Sequence, residues 1–314
     1  MTTTTGQKKK VLLDRSWLRG GGAEVAPPSR TVELLPCALQ SAQACCDGKG
    51  YQVGPQGALA LATICDCVKK CRGCYGQARR LDGNDSHPCR TPSPPTIVAL
   101  VNGAMIPARY AAASLDRFSN YSQNGNGRRV MNEVVRWRQN FKPRGDRGLV
   151  LEGPVGAGKT YILAALAKDF AERGYSVRFS DFFQLLGELK AGFSEGKADA
   201  TQLQPLIDVD VLFIDELGKG RNTDFELTVL DQLVCGRYNQ GKTIVASTNY
   251  RLESSRPDYN IHLDRPGSTG HSGFSPDQFD NLEQRIGRRI FSRLKEMTTF
   301  IELKEDDFRR REGI

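Results

Sequence analysis

The eight residues GPVGAGKT, at positions 153–160, fit the pattern G-x-x-x-x-G-K-[ST] without exception. Glycines in this pattern let the backbone wrap around a phosphate with its N–H groups pointing inward. The lysine adds a charge at the β- and γ-phosphate oxygens, and the last hydroxyl binds Mg²⁺. The stretch therefore predicts a site for the phosphates of a nucleotide and for Mg²⁺. Its residues are Gly153, Pro154, Val155, Gly156, Ala157, Gly158, Lys159 and Thr160.

The sequence on either side of this loop predicts the fold. GLVLEG before the loop is a short apolar strand, and KTYILAALAKDFAERG after it is an amphipathic helix. Further apolar strands follow in YSVRFS, VDVLFIDE, KTIVASTN and TTFIEL, each separated from the last by a long helical segment. Strands that alternate with helices pair in parallel, because the chain must cross over between them. We predict an α/β fold of the P-loop NTPase type, a three-layer sandwich around a central parallel sheet.

Three polar residues follow the predicted strands at the edge where ligands collect in α/β proteins. Asp215 and Glu216 end the strand VLFIDE, about 55 residues after the loop. On a strand neighbouring the loop, the first acid can hold Mg²⁺ and the second can activate a water against the γ-phosphate. Asn249 ends the strand TIVASTN, and its amide could orient that water. In other contexts such residues are ordinary strand-end and turn residues.

A late basic segment, QRIGRRIFSRLKEM, is predicted to be one helix. It carries Arg285, Arg288, Arg289 and Arg293. Arginine stabilises transition states in phosphoryl transfer and is often supplied by a neighbouring subunit. The same arrangement also suits a solvated or nucleic-acid-facing surface, so both interpretations stay open at this point.

The cysteines are concentrated near the start of the chain. Eight of nine lie between Cys37 and Cys89, and four of these fall within CDCVKKCRGC. Nothing directs the chain to an oxidising compartment, which favours metal ligation over disulfides. A thiolate site suits Zn²⁺, which would also stabilise a segment too small for a large core. The predicted zinc ligands are Cys46, Cys65, Cys67, Cys71 and Cys74.

This ligand set leaves alternatives open. Cys37, Cys89 or His87 could replace some of the predicted ligands. The eight cysteines could also bind two zinc ions or an iron–sulfur cluster. Cys71 and Cys74 could instead be a redox pair or free thiols, although no βαβ pattern surrounds them.

Composition divides the chain into four predicted regions. Residues 1–30 form a flexible basic tail, 31–90 a cysteine-rich zinc module, and 91–127 a linker and lead-in segment, the boundary falling at RTPSPPT, residues 90–96. Residues 128–314 form the ATPase domain, with an exposed insertion at 251–280.

Charge and hydropathy bear on partners and location. Residues 1–105 carry 13 Lys and Arg against 7 Asp and Glu, in a chain of net charge +8. A basic front half suits a nucleic-acid partner, and equally a solvated tail. No apolar run reaches the length of about 18 residues that spans a membrane, and the start lacks the apolar core of a signal peptide. We expect no membrane segment and a cytoplasmic location.

These motifs together resemble the AAA+ ATPases of the DnaC/DnaI helicase-loader and IstB transposition-helper group. The matching stretches are IPARYAAASLDRF, LVLEGPVGAGKTYILAALA, DVLFIDELG, RYNQGKTIVASTN and RIFSRLKEM, which occur in the order of that group. The resemblance implies a γ-phosphate sensor role for Asn249. It also implies that Arg293 is an arginine finger acting on the ATP of a neighbour, and hence that the chain forms a homo-oligomer.

Two departures from that group affect the expectations. The insertion at 251–280 is longer than usual, and only about twenty residues follow SRL, so we expect no separate helical lid domain.

The cysteine segments CDGKG and CYGQA are similar to the zinc hairpins of DnaJ-type proteins, but the first copy lacks its leading C-x-x-C.

The resemblance implies three functional hypotheses. The first is a helicase loader that binds single-stranded DNA and a replicative helicase. The second is a transposition helper that binds duplex DNA and a transposase. The third is an adaptor in which the zinc module binds the partner and ATP acts as a conformational switch.

Overall fold

The structure, a computed structural model, leaves several stretches of the chain undescribed. The described residues are 46, 49–66, 79–82, 85–88, 94–121, 125–142, 145–196, 199–252 and 281–304. The predicted tail at 1–30 and most of the predicted insertion at 251–280 therefore lie outside the described residues. None of the helices within the described ranges is long and apolar enough to cross a membrane.

Two antiparallel hairpins come first in the chain. They are formed by β1 (Tyr51–Gln56) with β2 (Leu59–Ile64), and by β3 (Arg79–Asp82) with β4 (Asp85–Pro88). The central sheet comprises β5 (Gly148–Glu152), β6 (Val177–Asp181), β7 (Val211–Asp215), β8 (Thr243–Thr248) and β9 (Thr298–Glu302). All strand pairs in the central sheet are parallel, and the strand order is β6-β7-β8-β5-β9.

This strand order confirms the predicted parallel α/β sheet and corrects one detail. We expected the strand that ends in Asp215 to neighbour the strand before the phosphate loop. Instead β8 lies between β5 and β7. Sequence order alone gives no information on which strand is inserted between two others, because crossover helices allow either arrangement.

Helices cover both faces of the sheet. They are α1 (Pro94–Gly103), α2 (Leu115–Tyr121), α3 (Gly125–Asn140), α4 (Lys159–Glu172), α5 (Phe182–Ser194), α6 (Asp199–Asp208), α7 (Asp224–Asn239), α8 (Leu282–Ile286) and α9 (Arg288–Met297), with a 3₁₀ turn at Ala108–Tyr110. Leu149 and Leu151 of β5 pack in the apolar cluster shared with α1 to α4, whereas Val150 packs in the cluster shared with α5 to α9. The predicted three layers are therefore present.

The segment predicted as a linker and lead-in, 91–127, contributes to the hydrophobic core. Its proline-rich start leads into α1, where Ile97 and Val101 are buried in the same cluster as Leu149. The stiff-linker interpretation of RTPSPPT was wrong for the residues from Pro94 onward. Proline is well tolerated in the first turn of a helix, where its missing N–H would be unpaired in any case.

The first hairpin packs directly against this core. The Ala60 N–H donates to the Ile106 carbonyl at 2.8 Å, and the Ala108 N–H donates to the Ala58 carbonyl at 2.9 Å. The Asn102 side chain binds both backbone groups of Ala62, accepting from its N–H at 2.6 Å and donating to its carbonyl at 3.2 Å. Part of the predicted zinc module thus packs against the core of the α/β fold.

Candidate nucleotide-binding site

The predicted phosphate loop joins the carboxyl end of β5 to the amino end of α4, as the motif requires. Gly158 precedes the helix with φ of 85°, and a Cβ at this position would lie 2.5 Å from the Phe118 ring. A side chain is therefore excluded both by the backbone conformation and by the aromatic ring of α2. The first turn of α4 directs its free N–H groups toward the loop, an arrangement that favours anions.

Lys159 is almost buried, with 6% of its surface exposed. Its Nζ donates to the carbonyls of Gly153 at 2.7 Å and Pro154 at 2.6 Å. The ammonium group therefore lies inside the loop whose backbone is expected to surround the phosphates. A buried charge of this kind requires hydrogen-bond partners, and a phosphate would provide stronger ones than these carbonyls.

Thr160, in the first turn of α4, meets Asp215 at the end of β7, although β8 lies between β7 and the strand β5 that leads into the loop. The Thr160 hydroxyl donates to Oδ1 of Asp215 at 3.1 Å. Asp215 is only 6% exposed, and this burial raises the pKa of its carboxyl, while hydrogen bonds from Ser247 and Thr160 oppose the shift. A carboxylate and a hydroxyl are hard oxygen donors of the kind that Mg²⁺ prefers. The pair therefore fits the predicted Mg²⁺ ligands.

Ser247 is a site residue that the sequence reasoning missed. It lies on β8, is 1% exposed, and its hydroxyl donates to Asp215 and accepts from the Glu216 N–H at 3.0 Å. It fixes both acids at the end of the neighbouring β7. The available signal was the serine inside the predicted buried strand TIVAST, because a buried hydroxyl needs a partner.

Glu216 lies just after β7 in a left-handed backbone conformation, with φ of 55°. This conformation is uncommon for a residue with a side chain. Its side chain is 31% exposed and forms an ion pair with Lys219 three residues later. Glu216 and Asp215 thus share one edge of the sheet with Thr160.

Asn249 directly follows β8 at the same edge. Its surroundings are held in place by the Thr248 hydroxyl, which donates to the Leu217 carbonyl at 2.9 Å and accepts from the Tyr250 N–H at 3.2 Å. Asn249 itself is exposed. Its position is compatible with the predicted sensor role.

The predicted late helix is two helices. Gly287, with φ of 82°, separates α8 from α9, so Arg285 and Arg293 lie on different elements. The Arg293 guanidinium lies 3.6 Å from Oδ1 of Asp231 and faces the Tyr238 ring on α7. Its side chain is 28% exposed, so the proposed finger packs against its own subunit here.

Two of the five predicted zinc ligands lie within the described residues. Cys46 accepts a hydrogen bond from the Gly50 N–H at 3.3 Å, and the Cys65 N–H donates to the Gly50 carbonyl at 2.9 Å. Cys67, Cys71 and Cys74 lie outside the described residues. Within the described residues, no group of three or more His, Cys, Asp or Glu side chains is arranged to hold a metal.

A cavity of about 380 Å³ opens beside Thr160, Asp215 and Glu216. Its other walls come from the end of β6, from α5, and from the turn that carries Arg109. Burial lowers the pKa of Arg178, another lining residue. The predicted Mg²⁺ residues therefore face a space lined by both basic and acidic groups.

Comparison with known proteins finds sequence similarity in the central region of the chain. Residues 112–255 match the family model of IstB-like ATP binding protein. Escherichia coli YdaV is 27% identical over 139 residues, covering 44% of this chain and 56% of that protein. A protein of an insertion sequence in Mycobacterium tuberculosis, named for ATP binding, is 31% identical over 104 residues, covering 32% and 40%.

The Escherichia coli replicative helicase loader DnaC is 28% identical over 105 residues, covering 33% of this chain and 43% of the loader. A crystal structure of the DnaC helicase loader aligns with 62% of this chain and 99% of its own length, with 27% identity and a TM-score of 0.49. The chain spans about half the length of the curated relatives it matches.

The parallel sheet and the loop between β5 and α4 define a P-loop NTPase fold. Within that class, the sequence matches are to the family model of IstB-like ATP binding protein and to the replicative helicase loader DnaC. The phosphate loop, Asp215, Glu216 and Asn249 fall inside the matched residues 112–255, whereas Arg293 and the cysteines of the predicted zinc module fall outside them.

Proposed function

We propose that this protein is an Mg²⁺-dependent ATPase. The observation that carries the proposal is the hydrogen bond between Thr160 and the buried Asp215, which joins the phosphate loop to the acidic end of β7. Bound Mg²⁺ would neutralise charge on the phosphate oxygens. Thr160 and Asp215 would hold that ion, and Lys159 would bind the β- and γ-phosphates.

The hydrolytic step needs a base and an oriented water. Glu216 is the proposed general base, because it follows Asp215 at the same edge and a carboxylate there can accept a proton from the attacking water. Asn249 is the proposed water-orienting and γ-phosphate-sensing residue. Ser247 would keep both acids in register by its two hydrogen bonds.

We further propose that ATP controls a DNA-replication task, with a replicative helicase as partner and single-stranded DNA as ligand. This is supported by the similarity to a protein named as a replicative helicase loader. The alternative is a transposition helper that binds duplex DNA and a transposase, supported by the IstB-like match and the insertion-sequence relative. The zinc-module adaptor remains a third candidate.

A basic face on α3 supports a nucleic-acid ligand. Arg128 and Arg136 are exposed, and Arg129 is exposed beside a single acid, Glu133, at 3.3 Å. The opposite face of α3 buries Val130 and Val134 in the core. Guanidinium groups repeated along an exposed helix face can contact successive phosphates.

The DNA proposal is tested by fluorescence anisotropy with single- and double-stranded oligonucleotides at several salt concentrations. Replacing Arg128, Arg129 and Arg136 together by Ala should reduce the slope of log affinity against log salt by about 0.7–0.9 for each phosphate that an arginine no longer neutralises. Lys142→Ala, an exposed charge beyond the end of α3, is the matched control. Failure of the wild-type chain to bind either DNA would contradict the DNA proposal.

The partner is tested by capture with the full chain from an extract of its own cell, with and without ATP. A replicative helicase among the ATP-dependent proteins supports the loader, and a transposase supports the helper. Capture of neither, with intact ATP binding, would favour the adaptor. The full chain is the appropriate bait because the first hairpin packs against the ATPase core.

Two finer proposals concern assembly and zinc. We propose that Arg293 acts on the ATP of a neighbouring copy, so Arg293→Ala should leave ATP binding intact and reduce turnover in the assembled state. Normal turnover would contradict the finger role.

We also propose that the cysteine segment binds Zn²⁺, for which the N–H of Gly50 donating to the Cys46 sulfur is consistent support. Elemental emission and visible absorbance would distinguish zinc from iron.

A further inference from the structure

The loop after Glu216, residues 217–223, has an ion pair that the proposed chemistry does not explain. Lys219 Nζ binds Oε2 of Glu216, and the Lys219 N–H donates to the Glu216 carbonyl at 3.0 Å. The turn also depends on the left-handed backbone of Glu216, with φ of 55°. One carboxylate oxygen of the proposed base, Oε2, is thus already paired with a cation from its own loop.

The loop is held on both sides of this ion pair. On the Glu216 side, the Leu217 N–H donates to the Ser247 carbonyl at 2.7 Å. On the other side, the N–H groups of Arg221 and Asn222 both donate to Oε2 of Glu226 at 2.9 Å. An ion pair between anchored backbones costs less backbone conformational entropy than one between mobile segments, which favours its formation.

Arg285 connects the same loop to α8. Its guanidinium donates to the Gly220 carbonyl at 3.2 Å and to the Tyr250 hydroxyl at 2.7 Å. The group also lies 4.6 Å from the centre of the Tyr250 ring. A movement of α8, or of the chain next to Tyr250, would therefore be transmitted to the residues that follow Lys219.

We propose that Lys219 is a positioning residue that restrains Glu216, and that this ion pair must open before Glu216 can accept a proton from water. The inference rests on the proposed ATPase function. Engagement of α8 or the Tyr250 segment by a partner or neighbouring subunit would move the loop through Arg285 and release the carboxylate. Lys219 thereby keeps hydrolysis slow until the chain is engaged.

Steady-state ATP hydrolysis by the full chain tests this restraint. Lys219→Met should raise kcat about two- to five-fold, the range over which a partly exposed ion pair can shift an equilibrium. KM should stay unchanged, because the Lys219 side chain pairs with Glu216 rather than with a phosphate-binding group. Lys219→Arg should retain the low kcat, since it preserves the cation, and Lys142→Met is the matched control for the removal of a surface charge.

A kcat for Lys219→Met equal to or below that of the wild type would overturn the restraint. The ion pair has an independent readout, because Glu216 raises the pKa of Lys219, and Glu216→Gln should therefore lower it. An unchanged lysine pKa by NMR titration would overturn the ion pair itself. Absence of hydrolysis in both the wild-type chain and the Lys219→Met variant would contradict the ATPase proposal, whereas the pKa result would still decide the ion pair.

Discussion

The nucleotide site and the first hairpin differ in how their positions are encoded. The phosphate loop is a contiguous motif, and its eight residues join a strand directly to a helix. The hairpin of β1 and β2 is held by residues distant in sequence, such as Asn102, which binds Ala62 from α1. A local motif can therefore be recognised from one sequence, whereas a contact between residues distant in sequence depends on the assembled fold.

The largest expected effect on ATP binding lies in the phosphate loop. Lys159→Ala should weaken ATP binding by about a hundredfold or more, because it removes a buried, charge-assisted hydrogen-bond donor to the phosphates. Titration with a fluorescent ATP analogue measures this. Lys168→Ala, on the same helix but away from the loop, is a control that should bind ATP normally. Equal binding by both variants would mean that the loop is not the nucleotide site.

A smaller effect is expected where the hairpin docks on α1. Asn102→Ala removes both hydrogen bonds to Ala62 and should lower the free energy of unfolding by about 1–3 kcal/mol. Chemical denaturation measures this change, and limited proteolysis should show earlier cleavage within the hairpin. Asn140→Ala, at the exposed end of α3, is the control. An unchanged unfolding free energy would show that the hairpin is not anchored through Asn102.

The smallest expected effect is the change in the free energy of unfolding that results from the burial of Asp215. Because burial raises the pKa of Asp215, the folded state favours the protonated carboxyl relative to the unfolded state. Its stabilising contribution is present at acidic pH and is lost as pH rises through the raised pKa. At neutral pH without Mg²⁺, Asp215→Asn should therefore stabilise the protein by on the order of 1 kcal/mol.

Thermal unfolding of the wild type and Asp215→Asn, from pH 3 to 8, checks this sign. The difference between them should shrink as the pH falls through the raised pKa of Asp215, and it should level off once the pH is below the ordinary pKa of an aspartate. A stabilisation that is largest at low pH would contradict the burial argument. The same substitution should weaken Mg²⁺-dependent ATP binding, because one of the two proposed Mg²⁺ ligands no longer carries a charge.

Much of the fold was predictable because it follows from local patterns. The strands were apolar runs, and the phosphate loop had a complete motif between a strand and a helix. The insertion of β8 between β5 and β7 was not predictable, because strand order is a tertiary property. The same holds for Arg237, which is fully buried and donates to the carbonyls of Leu206 and Thr243.

The site was predictable in its charged residues and less so in its supporting ones. Asp215 is expected near the loop from the pattern, but the Ser247 hydroxyl that holds it lies in a stretch that predicts only an apolar strand. The break at Gly287 was missed because the arginines continue with helical spacing on both sides of it. Lys219 gave no signal, since one lysine in a loop is usually a solvated surface residue.

The most direct test of the proposed chemistry is phosphate release from ATP by the wild type and Glu216→Gln at equal, measured nucleotide occupancy. Both proteins should bind ATP alike, and the substitution should reduce release by about 10²–10⁴-fold, the contribution expected of a general base. Equal rates of phosphate release at equal occupancy would contradict the assignment of Glu216 and, with it, the proposed hydrolytic mechanism.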